Sequence, residues 1–284
     1  MCRVCRFPHL RPGDSLFGET IGEVIAAPDD SGLLKGDRVQ HHFGWRDYAV
    51  VPVAHCTRLG DPLPGPLGDL GYLGHGWTAY AALTRGVQIR EGDTVFISSA
   101  AGAIGSMAGQ IARLLGAGRV IGSTSSRAKA DRLIAELGYD AAVIRGGDEP
   151  FAAQLRHAAP DGVDVVLDNV GGEQLQAAVT VARTNARFVI TGALSGQLAA
   201  AGTGRTAPVV LDSTQILLRK IVIRGYSADD NPDARDEWFA RLPDRCRAGD
   251  IRIPHVVIDG LERATAALSD TARGRYLGMV VVRP

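Results

Sequence analysis

Residues 94–105 read Thr-Val-Phe-Ile-Ser-Ser-Ala-Ala-Gly-Ala-Ile-Gly, an apolar run that passes through a turn of small side chains straight into a helical pattern. Such a turn lets backbone approach a pyrophosphate. The free N–H groups and the positive dipole end of the following helix then favour the anion. The helix is expected over 105–115, with Ala108, Ile111, Ala112 and Leu115 packing on a sheet. The pattern is A-x-G-x-x-G, and Gly and Ala also mark ordinary strand-to-helix turns. Its weight therefore depends on the rest of the chain.

Downstream, strands and helices alternate through short connections. Strands are expected at 94–99, 119–123, 141–144, 163–168, 186–191 and 220–226, with helices at 127–137, 151–158 and 173–182. Several of the strands are continuous apolar runs, as when both faces of a parallel sheet are covered. The fold class is α/β, a doubly wound parallel sheet. Upstream, 18–26, 36–40 and 48–53 are short strand-like pieces between Gly, Pro and Asp, the pattern of a small irregular β domain. A Pro- and Gly-rich stretch then precedes a short helix at 78–84. After Tyr226 come a polar break, a helix at 237–247, and a strand, helix and final strand.

The 31 basic and 31 acidic residues cancel, which removes the electrostatic case for a nucleic acid or an anionic membrane as partner. No apolar run approaches the roughly 20 residues that span a bilayer, and residues 1–10 lack the core of a signal peptide. The expectation is a cytoplasmic protein. Four scattered cysteines, Cys2, Cys5, Cys56 and Cys246, do not make a disulfide framework. Cys2 and Cys5 with His41, His42, His55 and Cys56 could be assembled into a zinc site, but no second C-x-x-C is present and the expectation is no metal.

The second strand ends Gly122-Ser123-Thr124-Ser125-Ser126-Arg127-Ala128-Lys129, without the carboxylate that would receive the ribose hydroxyls of NAD. Hydroxyls with Arg127 and Lys129 suit a 2′-phosphate, so NADPH is favoured over NADH. The bland alternative is two solvated charges, placed where a helix dipole opposes them.

Residues 99–106, Gly122 with Lys129, Asp168-Asn169-Val170-Gly171-Gly172 and Gly192-Ala193-Leu194-Ser195 together resemble the zinc-independent medium-chain dehydrogenase/reductases, in the prostaglandin reductase and 2-alkenal reductase branch. Gly36-Asp37-Arg38-Val39, Gly44-Trp45 with Tyr48, and Trp77-Thr78-Ala79-Tyr80 fit the same branch. The resemblance implies a partial GroES-like substrate domain at 1–80, a Rossmann NADPH-binding domain at 81–228 and a segment at 229–284 returning to the substrate domain. It also implies a homodimer that reduces a C=C bond conjugated to a carbonyl.

Carried over, Ala101, Gly102, Ala103, Ile104 and Gly105 face the pyrophosphate. Ser123, Arg127, Lys129 and Arg145 serve the 2′-phosphate end. Asn169, Thr191, Gly192, Ala193, Leu194, Ser195, Tyr226, Ser227 and Ala228 line the nicotinamide end. Arg145 stands where the family commonly has Tyr, Gln197 where it has an active-site Tyr, Tyr276 and Met279 where it has Asn and Lys, and His75 lacks the family's following Pro. The family's opening strands and a Tyr-bearing substrate loop have no counterpart, so either the start lies too late in the reading frame or the substrate domain is reduced and its pocket more open.

Ene reduction needs a donor to meet enolate charge and an acid or solvent to protonate the α-carbon. His75, Tyr226, Tyr48 and His42 are the candidates, with His75 ahead because it precedes the helix linking the domains. His42 and Tyr48 are expected to pack the β domain. Quinone reduction by the same cofactor geometry is the near alternative. A nucleotide-binding protein with a degraded substrate domain is the distant one, and zinc-dependent alcohol dehydrogenation lacks its Gly-His-Glu ligand motif.

Overall fold

A computed structural model describes residues 13–14, 16–64, 68–199 and 206–284. They divide into two compact units: one comprises the described part of Met1–Leu73 with Val257–Ala267 and Val281–Pro284, the other Gly74–Val256 and Leu268–Val280.

The larger unit is built on a six-stranded parallel sheet. Its strands are β4 (Thr94–Ile97), β5 (Arg119–Thr124), β6 (Ala141–Ile144), β7 (Val163–Asp168), β8 (Ala182–Ile190) and β9 (Val222–Gly225), ordered β6-β5-β4-β7-β8-β9. The strand runs Val95-Phe96-Ile97 and Val165-Val166-Leu167 are completely buried, which is why they read as unbroken apolar sequence. The crossovers carry α2 (Ala103–Leu114), α3 (Arg127–Glu136), α4 (Phe151–Ala158), α5 (Gly172–Val181), the short α6 (Leu194–Gln197) and α7 (Ser213–Arg219). Phe96, Phe151, Leu155, Leu175 and Phe188 belong to one core cluster. Ala108, Ile111 and Ala112 are buried on α2 as the helical period requires. The order reverses between β4 and β7, so their carboxyl ends open the crevice where ligands of such sheets bind.

Ahead of the sheet, α1 (Gly76–Ala81) continues into a wider π turn at Ala82–Gly86. Gly76 is required because a Cβ there would lie 2.6 Å from the indole of Trp238 in α8 (Pro232–Ala248). That close approach fixes the residue at the head of α1, His75.

The smaller unit holds an antiparallel sheet of β1 (Thr20–Glu23), β2 (Arg38–His41) and β3 (Thr57–Arg58). Arg38 pairs with Asp69 and donates to the Gly60 carbonyl, tying the sheet to residues that follow β3. The strand expected at 48–53 does not form. Tyr48 and Val50 are 77% and 97% exposed, and Pro52, which has no N–H for a ladder, instead precedes a 3-10 turn at Val53–His55. Strands β10 (His255–Asp259) and β11 (Met279–Arg283) pair with each other, and α9 (Ala264–Ala272) lies between them in sequence. No helix among the described residues is long and apolar enough to cross a membrane.

Candidate functional site

The small-residue turn leaves β4 through Ser99, which takes a left-handed φ of 52°, and is pinned on both sides. The Ser99 N–H donates to Ser123 Oγ at 2.9 Å and the Ala100 N–H to the Ser123 carbonyl at 2.8 Å. Gly102 caps α2 without a side-chain acceptor, leaving the first N–H groups of the helix for a ligand. Gly105 is the residue that permits the approach. A Cβ there would fall 2.3 Å from the Ser99 carbonyl oxygen. From behind, the buried Tyr139 donates its hydroxyl proton to the Gly105 carbonyl at 2.6 Å.

Ser123 itself is buried, accepting from Ser99 and donating to Gln174 Oε1 at 2.6 Å. It braces the turn from within the sheet and does not reach the surface. Beyond it, Ser126 caps α3 by accepting the Lys129 N–H at 3.4 Å. The Lys129 ammonium donates to Ser125 Oγ at 2.8 Å and to the Gly274 carbonyl at 2.6 Å. Burial, and then the charge of Arg145, hold it below the usual lysine range. Arg145 follows β6, its N–H donating to the Thr124 carbonyl at 2.8 Å, and Arg127 begins α3; both side chains are exposed. Three cations thus flank a strand end that carries no carboxylate.

At the other side of the switch point, Asp168 organises the end of β7. It accepts from Ser98 Oγ at 2.6 Å and from the N–H groups of Val170 and Gly171. Burial pushes its carboxyl above the usual range while those three bonds pull it down. Asn169 donates its amide to the Ser98 carbonyl at 2.8 Å and accepts from the Thr191 hydroxyl at 2.9 Å. Leu194 and Ser195 donate their N–H groups to the carbonyls of Asn169 and Val170. Gly192 is obligatory here, because a Cβ would sit 2.7 Å from the Asn169 carbonyl oxygen. Tyr226 follows β9, donates to Asn231 Oδ1 at 2.7 Å, and lies under the Arg224 guanidinium. Burial pushes its phenol above the usual range. Ser227 and Ala228 follow it, Ala228 buried.

A profile described as zinc-binding dehydrogenase matches residues 103–242. The chain is 31% identical over 281 residues to prostaglandin reductase 1 of Mus musculus, covering 96% of this chain and 83% of that protein. It is 30% identical over 275 residues to the NADP(+)-dependent 2-alkenal reductase of Nicotiana tabacum, covering 95% and 78%. The chain belongs to the medium-chain dehydrogenase/reductase family. Its backbone also matches CurA from Vibrio vulnificus, solved in complex with NADPH, with a TM-score of 0.82 at 29% identity over 94% of this chain and 79% of that one.

In this medium-chain dehydrogenase/reductase, the residues fit a phosphorylated dinucleotide. Gly105 lets α2 start tight against the Ser99–Ala100 backbone, and the strand end presents Lys129, Arg127 and Arg145, cations whose chemistry suits a 2′-phosphate. His75 heads α1, half-buried, its carbonyl accepting from Ala79 and its ring making no side-chain cap. His42 and Tyr48 belong to the smaller unit and are exposed, so they do not pack it. Its packed histidine is His41, whose Nδ1 accepts the Phe43 N–H at 3.1 Å. Cys2 and Cys5 lie outside the described residues, and among those described no group of three or more His, Cys, Asp or Glu is placed to hold a metal.

An open depression lined by Arg156, Asp164, Arg183 and Arg219 lies at the amino ends of β7 and β8, away from this crevice. Arg183 is paired with Asp164, and Arg219 donates to the carbonyls of Thr180 and Ala182. Two glycines not singled out in the sequence, Gly274 and Gly278, meet the candidate site through their backbones, at the Lys129 ammonium and the Ala101 carbonyl. The signal available was a pair of glycines four apart, both of which take positive φ.

Proposed function

We propose that this chain reduces the C=C bond of a small enone or enal, passing a hydride from NADPH to the β-carbon. The chain is an NADP-dependent oxidoreductase, and its named relatives include an alkenal reductase and a prostaglandin reductase. The observation that carries the reading is the switch-point crevice. One side bears cations without a carboxylate, and the other bears the Asn169 and Tyr226 polar groups.

When bound, NADPH supplies the hydride. The N–H groups of 101–105 bind the diphosphate, and Lys129, Arg127 and Arg145 hold the 2′-phosphate. Asp168 and Ser98 fix the Asn169 turn, which with Thr191, Gly192, Ala193, Leu194 and Ser195 frames the nicotinamide end. Tyr226 keeps its proton across the neutral range and can turn it from Asn231 to a carbonyl oxygen as enolate charge develops. His75 is the second donor, with Tyr48 and His42 behind it because both lie exposed. An acid or solvent protonates the α-carbon. No metal takes part in this reading.

The reading extends to a cytoplasmic homodimer. Edge strand β9 with Leu217, Leu218 and Val222 exposed beside it supports the dimer. Steady-state turnover on a panel of enones, enals and quinones, with NADPH and NADH in parallel, tests the activity. Turnover of enones with NADPH supports the reading. Turnover of quinones alone replaces the substrate class, and cofactor binding without any turnover overturns the enzyme.

A further inference from the structure

A lysine ammonium carries three N–H donors on a flexible stem, and ordinarily it recognises phosphate as a mobile point charge. At Lys129 two of those donors are committed, to Ser125 Oγ at 2.8 Å and to the Gly274 carbonyl at 2.6 Å. The third is uncommitted among the described residues. Both acceptors are neutral, so they direct the group without cancelling its charge, as a carboxylate partner would. Arg145 acts on it as a like charge.

The segment that supplies the carbonyl is itself fixed at both ends. At its far end, the Gly278 N–H donates to the Ala101 carbonyl at 2.9 Å and Gly278 bridges Gly102 in the phosphate turn. A Cβ on Gly278 would lie 2.1 Å from the Pro254 carbonyl oxygen. At its near end, Asp270 pairs with the Arg275 guanidinium at 3.0 Å and accepts the Tyr276 hydroxyl at 3.4 Å. Gly274 holds φ +69°, and a Cβ there would touch Ser125 Oγ and Lys129 Nζ at 3.4 and 3.6 Å. One stretch of five residues, 274–278, therefore spans from the diphosphate turn to the 2′-phosphate cation.

We propose that Ser125 and the 274–278 strap are positioning residues for the 2′-phosphate, aiming the free N–H of Lys129 and so setting the preference for NADPH over NADH. The proposal rests on reading Lys129 as the 2′-phosphate ligand. Calorimetry of the full chain with 2′,5′-ADP and with 5′-AMP tests it on wild type, Ser125→Ala, Ser125→Thr, Gly274→Ala and Lys129→Ala. Ser125→Ala and Gly274→Ala are each expected to weaken 2′,5′-ADP by about tenfold while 5′-AMP stays within about twofold. Ser125→Thr, which keeps the hydroxyl, restores the wild-type ratio. Parallel loss of both ligands, or no loss of either, overturns the proposal. If Lys129→Ala abolishes the preference while the other variants keep it, the strap alone is refuted. If Lys129→Ala keeps the preference, the reading of Lys129 falls, and the strap proposal with it.

Discussion

Lys129 shows how a residue's surroundings turn a common side chain into a selective one. Its ammonium loses water to burial and faces Arg145, both of which disfavour the charged form. On the proposed reading of Lys129 as the 2′-phosphate ligand, a phosphate dianion would remove that penalty and be held by charge-assisted bonds. Lys129→Ala should therefore weaken NADPH about 10- to 100-fold, as the loss of a charged hydrogen bond implies, and leave NADH nearly untouched. Fluorescence titration with the two cofactors checks this, and equal losses would remove the assignment. The lowered pKa adds a pH signature. Only the ammonium binds phosphate, so NADPH affinity should fall as pH rises through that value, below the ordinary lysine range. Lys129→Arg, which stays charged, should hold its affinity to higher pH.

His41 gives a stability counterpart. Burial, then the charges of His42 and Arg46, hold its imidazole below the usual histidine range. The unfolded chain takes up the proton near pH 6.5 while the folded chain resists it. The associated stability is thus present above about pH 6.5 and is lost as pH falls through the folded value. Thermal unfolding followed from pH 8 downward should show a fall that His41→Gln flattens. At this scale Lys129 and Arg127 stand out in the sequence as candidates because they follow a strand end within a few residues. Gly274 does not, since it lies 145 positions from the lysine that donates to its carbonyl and nothing local marks that carbonyl as an acceptor.

Between β4 and α2 the decisive quantity is the distance between strand and helix. Gly105→Ala would place a methyl carbon 2.3 Å from the Ser99 carbonyl oxygen and 2.6 Å from the Ala100 Cα, backbone atoms with no room to yield. The helix must lift, at about 1–3 kcal/mol for overpacking of this kind. Gly102→Ala meets Ser99 Oγ at 3.2 Å, a contact that a small shift relieves. Thermal melts and NADPH titration should therefore separate the two, with Gly105→Ala losing both stability and affinity and Gly102→Ala losing little; similar behaviour would show that the close approach is not what holds the cradle. Tyr139→Phe removes the bond to the Gly105 carbonyl at the cost of about 1 kcal/mol, read in the same melts.

Elements of this kind were legible in sequence wherever burial is two-sided. The run at 163–168 coincides with β7, buried on both faces, and those at 141–144 and 151–158 coincide with the partly buried β6 and α4, whose short connections and apolar period mark them. Where one face meets water the signal weakens. Tyr48 and Val50 gave strand-like composition to a segment with no ladder. Helix α7 was missed because it exposes Leu217 and Leu218, blurring its amphipathic pattern. Ser123 is a ligand candidate by its place at the end of the strand, and strand alternation does not tell which face of a covered sheet its hydroxyl serves.

At the scale of the molecule, the two edges of the parallel sheet differ in what they expose. Strand β6 is followed by Arg145, Asp148 and Glu149, charges that deter a second sheet. Strand β9 carries one charge, Arg224, which is turned onto the Tyr226 ring and the Arg85 and Gly86 carbonyls. Val222 is 59% exposed on it, and Leu217 and Leu218 of α7 are 74% and 68% exposed. An edge strand meeting its own copy about a two-fold axis pairs antiparallel and is self-complementary, so in the proposed dimer a second copy of this chain would satisfy the outer ladder groups and cover the leucines at once. If so, Leu217→Glu with Leu218→Glu buries two carboxylates in the interface and should convert the dimer to monomer. Sedimentation velocity at micromolar concentration reads the change. Both substitutions leave the 101–105 turn and Lys129 untouched, so NADPH affinity measured on the same samples should be retained. A wild-type chain that sediments as a monomer would remove the dimer. A variant that stays dimeric would place the contact on another face.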